Sequence, residues 1–225
     1  MHIIARIRTD FPDKFGVPRQ SGLAAALRGK VVFEPAFRSP EAVRRLEEFS
    51  HIWLLWEFSR ARREGWHATV RPPRLGGNER VGVFASRSPF RPNPIGLSAV
   101  RLERVALEPQ DGPVLYVAGV DMLDGTPVYD IKPYVPLTDC IADATEGYTK
   151  TTRAHALEVV FPPALLAQVP ADKREALLSV LAQDPRPGYL QEDARRVYGV
   201  PFAGLDVKFR VEGQRLIVCG LETVG

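Results

Sequence analysis

The sequence predicts a mainly β chain, an antiparallel sheet or barrel over its first two thirds followed by a small α+β module. Three observations carry that expectation. From Gly96 to Leu107, Ser98, Val100 and Leu102 alternate with Ala99, Arg101 and Glu103, the period-2 pattern of a strand with one wet face. The chain has 20 Pro and 18 Gly, so regular segments are short and turns frequent. Near residue 140 the composition turns small and polar (Asp139–Ala154, DCIADATEGYTKTTRA), which marks a linker.

Taken in order, His2–Ile7 reads as a short strand, and a loop with Pro12, Pro18 and Gly22 follows. Lys30–Phe37 reads as a second strand. Ser39 and Pro40 make a helix start, and Val43, Leu46 and Phe49 recur every three residues, so Pro40–Phe49 is expected to be a short amphipathic helix. His51–Phe58 (HIWLLWEF) is apolar nearly throughout and reads as a strand covered on both faces. Its Trp53 and Trp56 read as core rather than as a base-stacking platform, and His51 as a satisfied core histidine. Val81–Ala85, Gly96–Leu107, Pro113–Val120 and Val128–Ile131 complete the first set of strands. Sparse helix between them favours antiparallel pairing over a βαβ design. Past the linker, Leu157–Phe161 is a strand and Pro163–Gln183 contains a helix. Asp172 caps the second part of that helix, with Ala176, Leu177, Val180 and Leu181 facing inward. Val207, Phe209 and Val211 alternate in a strand whose hairpin partner is Arg215–Leu221. This module is too small to be very stable unless it docks.

Composition excludes several classes. With 225 residues and 45% hydrophobic, the chain is neither fibrous nor disordered. No run approaches a membrane span, and the charged start MHIIARIRTDFPDKF is unlike a signal peptide, so a cytoplasmic location is expected. Two distant cysteines and four scattered histidines supply neither a disulfide framework nor a metal site. There is no GxGxxG, no P-loop, and Gly96-Leu-Ser98 lacks the last glycine of a nucleophile elbow.

Charge carries more information. The net charge is only +3, yet Arg60–Arg91 holds eight arginines (60, 62, 63, 71, 74, 80, 87 and 91) against Glu64 and Glu79. Seven prolines and glycines make that stretch a poor helix, and arginines on a rigid path suit bidentate phosphate contacts. Two segments ask for more than folding explains. Arg87-Ser-Pro-Phe-Arg-Pro-Asn-Pro-Ile-Gly-Leu97 places three prolines within six residues, a rigid frame from which Arg87, Arg91 and Asn93 project. Asp121–Tyr134 sets Asp121, Asp124, Asp130 and Lys132 between apolar positions. A carboxylate there can accept from ribose hydroxyls, partner an ammonium group, or act as a base.

RSPFRPNPIGLS (Arg87–Ser98) and DMLDGTPVYDIKPYVP (Asp121–Pro136) resemble the TsaA-like family, whose characterised bacterial members are TrmO-type tRNA methyltransferases. The resemblance takes in FGVPRQSGL (Phe15–Leu23), FSHIWLLWEF (Phe49–Phe58), TVRPPRLGGNERVGVFA (Thr69–Ala85), AQDPRPGY (Ala182–Tyr189), VYGVPF (Val197–Phe202) and DVKFRV (Asp206–Val211). It implies an antiparallel β-barrel catalytic domain over 1–145, a small α+β C-terminal domain over 155–225, and a homodimer. It implies S-adenosylmethionine as cofactor, no metal, and threonylcarbamoyl-adenosine beside the tRNA anticodon as substrate. The family pocket maps onto Pro18, Arg19, Gln20, Gly22, Leu23, Ser59, Arg60, Arg87, Leu97, Asp121, Met122, Leu123 and Asp124. It assigns no general base, and Asp124, Asp130 and Tyr134 stand as candidates. Two other readings stay open: a non-catalytic RNA-binding barrel, and a methyltransferase acting on a small molecule.

Overall fold

A computed structural model of the chain describes residues 1–61, 65–72, 79–152, 156–186 and 195–224. Six strands close into an antiparallel barrel: β1 (Ala5–Arg8), β2 (Arg28–Phe33), β3 (His51–Glu57), β6 (Ile95–Glu108), β7 (Gly112–Ala118) and β8 (Pro127–Pro133). Their order round the barrel is β1-β2-β7-β6-β3-β8, and β1 pairs again with β8 through Ala5 opposite Val128. A two-stranded hairpin, β4 (Thr69–Val70) and β5 (Val81–Gly82), stands outside it. The alternation seen in the sequence sets the walls. Along β6, Gly96, Ser98, Val100 and Leu102 are buried, and Ile52, Leu54 and Trp56 on β3 face them.

The second unit is a four-stranded sheet, β10 (Tyr198–Phe202), β11 (Leu205–Glu212), β12 (Arg215–Thr223) and β9 (Glu158–Val160), in that order. Helix α3 (Arg174–Ala182) buries the expected Ala176, Leu177, Val180 and Leu181. Two single-turn helices, α1 (Pro136–Asp139) and α2 (Pro163–Leu166), lie on the connections. The module does dock. Phe202 meets Phe11 edge-on at 5.3 Å, Ala203 N–H donates to Asp10 carbonyl at 3.0 Å, and Lys173 Nζ reaches Asp10 Oδ2 at 2.5 Å. One hydrophobic core runs through both units.

Several expectations need correction. The strand begun at Lys30 ends at Phe33, because Pro35 starts a 3-10 turn. Pro40–Phe49 is not an amphipathic helix but two 3-10 turns, Pro40–Val43 and Leu46–Glu48. Arg45 between them sits at φ 68°, which no α-helix accommodates, and the Ser39 side chain caps nothing. Asp172 lies in a preceding 3-10 turn, and the α3 N-cap is Lys173. His51 is exposed at the mouth of β3, its Nδ1 2.9 Å from Ser50 Oγ, and is no core residue. Only Val81–Gly82 of Val81–Ala85 is strand; the rest is a 3-10 turn. Strand β10 has no counterpart in the periodicity reading, since Gly199 and Pro201 blur its pattern. Its alternate residues Tyr198, Val200 and Phe202 are all buried.

Candidate functional site

The segment Arg87–Leu97 does form a rigid frame, though not as an array of projecting arginines. Arg91 turns inward: its Nη1 donates to the carbonyls of Val83 at 3.2 Å and Ser86 at 2.7 Å. With prolines at 89, 92 and 94 there are few backbone donors, so side chains brace the loop. Ser86 Oγ donates to Val83 carbonyl at 2.8 Å and Phe58 N–H to Pro94 carbonyl at 2.8 Å. Arg87 stays outside this brace and donates to the Gln20 side-chain oxygen.

Directly after the frame, β6 carries Ser98 into the barrel interior. Gly96 makes this possible. A Cβ there would fall 2.2 Å from the Trp56 ring, so only glycine lets the indole lie across β6. Trp56 Nε1 then donates to Ser98 Oγ at 2.9 Å, and Ser98 Oγ donates to Asp121 Oδ1 at 2.7 Å. Asp121 follows β7, in the segment the sequence marks as anomalous. Burial pushes its carboxyl up to about 6, although Ser98, the backbone N–H groups of Asp121 and Ser21, and the Arg87 charge all favour the anion. Gly22 N–H donates to Gly119 carbonyl at 2.9 Å, which ties the Pro18–Leu23 loop to the end of β7. Gln20, Ser21, Arg87, Ser98 and Asp121 therefore converge at one end of the barrel.

The other expected site residues divide. Pro18 is buried beneath the loop, and Arg19 and Leu23 are exposed on it. Ser59 and Arg60 form a 3-10 turn, and Arg60 Nη1 donates to Pro12 carbonyl at 2.8 Å, holding the approach to the same loop. Leu97 is 57% exposed and faces away from the interior. Met122 is buried, so only its backbone is available, and its carbonyl accepts from Thr9 Oγ1 at 3.1 Å. Leu123 packs on the core. Asp124 turns away from Asp121. It accepts from Thr9 N–H at 3.1 Å, pairs with Arg8 at 3.4 Å, and lines a cleft of about 390 Å³ against Pro201–Leu205. Asp130 pairs with Lys132 at 3.1 Å, and Tyr134 packs against Trp53 with ring centroids 5.4 Å apart. Neither joins the Asp121 cluster. Arg62, Arg63 and Arg74 lie outside the described residues.

Sequence reasoning missed Ser98 and Trp56 as supports of Asp121. The available signal was a hydroxyl at an inward position of β6, between Gly96 and Val100, where a packed strand carries an apolar side chain. It also missed Glu57, buried on β3, which accepts from the Tyr129 hydroxyl. Among the described residues, no three His, Cys, Asp or Glu side chains gather as a metal-binding group.

Residues 6–140 match the family model of the tRNA-methyltransferase O N-terminal domain, and residues 154–224 that of the TrmO C-terminal domain. The chain belongs to the tRNA-methyltransferase O family. The tRNA (adenine(37)-N6)-methyltransferase of Escherichia coli K12 is 42% identical over 226 residues, 97% of this chain and 96% of that one. A Pseudomonas aeruginosa protein named as a candidate S-adenosylmethionine-dependent methyltransferase is 41% identical over 95% of this chain and 93% of its own length. The crystal structure of TrmO from Pseudomonas aeruginosa superposes with a TM-score of 0.76 at 35% identity, over 99% of both chains. The Asp121 cluster lies within the N-terminal match, and the docked sheet within the C-terminal one.

Proposed function

We propose that the chain transfers a methyl group from S-adenosylmethionine to threonylcarbamoyl-adenosine beside the anticodon of tRNA, with 1–145 as the catalytic, cofactor-binding domain and 155–225 as the C-terminal domain. The observation that carries this reading is Asp121. A mostly buried carboxylate whose ordinary anionic state is disfavoured by its surroundings fits a cationic ligand, which would offset the desolvation. When bound, the cofactor supplies an electrophilic methyl on a positively charged sulfur. The Pro18–Leu23 loop, Ser59-Arg60, Arg87, Leu97 and Asp121–Leu123 surround or support the place where it would sit, while Asp124 secures the same segment from the far side through Thr9 and Arg8. Gln20 and Arg87 hold one wall, and the Trp56–Ser98–Asp121 chain fixes the carboxylate. Orientation alone can supply roughly 7–11 kcal/mol of a transfer barrier, so a rigid frame matters more here than a strong base.

The finer partners follow from the same reading. The active unit is a homodimer working in the cytoplasm, where tRNA is found. Exposed Ile95 and Leu97 on β6, beside the buried Ser98, support a partner surface next to the site. No helix among the described residues is long and apolar enough to cross a membrane.

Mass spectrometry of tRNA nucleosides from cells with and without the chain tests the activity, together with calorimetry of chelator-treated protein against S-adenosylmethionine. Loss of a methylated threonylcarbamoyl-adenosine in the deletion, and cofactor binding without metal, are expected. An unchanged nucleoside profile with cofactor binding intact would point to a small-molecule substrate. No binding at all would leave only an RNA-binding barrel. Sedimentation of a 25.0 kDa monomer as the active species would overturn the dimer.

A further inference from the structure

The hairpin β4–β5 and the turn after it leave two large aromatic side chains in water. Trp66 is 51% exposed and Phe84 70% exposed, and their rings lie 6.0 Å apart, tilted by 34°. One exposed aromatic is ordinary, but two side by side make a contiguous apolar patch of the kind that marks an interaction site. They lie outside the barrel wall, and among the described residues β4 and β5 pair only with each other. Their neighbourhood is cationic. Arg71 and Arg80 are exposed on the hairpin, Arg80 reaching Thr69 Oγ1 at 3.3 Å, and the Arg91 guanidinium lies 5.8 Å from the Phe84 ring centre. Glu79 is the one acid among residues 65–72 and 79–91. Among the described residues of the hairpin and the turn after it, no aliphatic side chain of the kind a dry protein interface uses is exposed: Val83 is buried, and Val70 and Val81 are half-buried.

The position is fixed as well as exposed. Arg91 grips Val83 carbonyl on one side of Phe84, and Tyr148 hydroxyl donates to Ala85 carbonyl at 3.1 Å on the other. Three residues further on, Arg87 meets Gln20 at the Asp121 cluster. A flat apolar face, flanked by arginines and held next to the site, matches unstacked bases on a phosphate backbone. Paired RNA offers no such faces.

We infer that Trp66 and Phe84 form a stacking platform for unpaired bases of an RNA loop, with Arg71 and Arg80 placed for the flanking phosphates. The inference rests on the tRNA reading above and names the surface that reading lacks. The test is binding of an anticodon stem-loop RNA, and of a fully paired RNA of equal length, by the intact chain and by Trp66→Ala, Phe84→Ala and Trp66→Phe. Each Ala variant should weaken stem-loop binding by roughly 5- to 150-fold, the range measured for one lost base stack. Trp66→Phe, which keeps a ring, should stay within a few-fold of the parent. Binding of the paired RNA, the salt slope, cofactor binding and sedimentation should not change. Stem-loop affinity unchanged in both Ala variants would overturn the platform while leaving the methyltransferase reading intact. So would loss of self-association in those variants, because the aromatics would then belong to a protein interface. Failure of the parent chain to bind the stem-loop at all would overturn both.

Discussion

Asp121 holds its place through three neighbours, and its protonation sets two testable behaviours. Its folded value of about 6 lies above the ordinary aspartate value of 3.8. Between those values the folded chain binds a proton that the unfolded chain does not, so this residue's contribution to stability falls as pH rises through that window. Above it, the charged and buried carboxylate costs up to ~3 kcal/mol, at about 1.4 kcal/mol per unit. Asp121→Asn should therefore melt higher than the parent at pH 7–8, and the two should converge near pH 4 in calorimetric scans. Cofactor affinity should behave in the opposite sense. In the parent it should drop as pH falls through about 6, whereas Asp121→Asn should bind weakly and with little pH dependence in titrations from pH 5 to 8. A second residue-scale outcome concerns Gly96. Its Ala variant drives a methyl into Trp56 and breaks the indole–Ser98–Asp121 chain. Overpacking of that kind costs ~1–3 kcal/mol, read as a lower denaturation midpoint, and cofactor affinity should fall with it.

At the scale of elements, the frame Arg87–Leu97 depends on one inward arginine. Arg91→Ala removes two charge-assisted bonds to Val83 and Ser86 carbonyls from a loop with few backbone donors. Local opening rather than global unfolding should follow, because β6 is anchored on both sides by β3 and β7. Hydrogen exchange of residues 83–95 should accelerate at an almost unchanged melting temperature, with cofactor affinity reduced. Arg91→Lys should restore it only in part, since the ammonium keeps the donors but is more strongly hydrated and sits on a shorter, more flexible stem than the guanidinium nitrogen that reaches both carbonyls. The loop Pro18–Leu23 is held differently, from below. Gly16 adopts φ +88°, and a Cβ there would stand 2.6 Å from Val200 Cγ1 on β10. The Pro18–Leu23 loop thus starts just after a residue pressed against the C-terminal sheet.

Over the whole molecule, that contact joins the two units. Phe202, Ala203 and Lys173 all meet the Asp10–Phe11 corner, a few residues ahead of the loop. Phe202 is fully buried, and Phe202→Ala should cost ~3–5 kcal/mol while loosening the loop, so the cofactor dissociation constant should rise at temperatures where the chain remains folded. If unfolding separates into two transitions in that variant and cofactor affinity does not move, the docked sheet has no hold on the site. Salt separates the arginine roles. Arg87→Ala should weaken the cofactor, whereas Arg62, Arg63, Arg71 or Arg74→Ala should flatten the slope of log K for tRNA against log salt by roughly 0.7–0.9 per lost phosphate contact. Wild-type slopes in all four would make the basic stretch a solvated face.

The sequence by itself determined most of the barrel strands and, where the pattern alternates cleanly, the side that faces inward. Alternation survives any tertiary arrangement, and so β6, β11 and the buried side of α3 agree with the chain. It also singled out the two segments that meet at the Asp121 cluster, because three prolines around Arg91 and a row of aspartates after β7 are more than strands and turns require. Local signals misled where they competed with one another. The three-residue recurrence in Pro40–Phe49 reads equally as an α-helix or as successive 3-10 turns, and a left-handed Arg45 decided between them. Only the tertiary structure decided that the sheet closes, that Arg91 braces rather than projects, and that Asp121 and Asp124, three residues apart, face different surroundings. Closure and convergence depend on contacts between residues distant along the chain, such as Ser98 with Asp121 or Gly16 with Val200. Burial, which raises the Asp121 carboxyl, belongs to the fold and to no stretch of sequence.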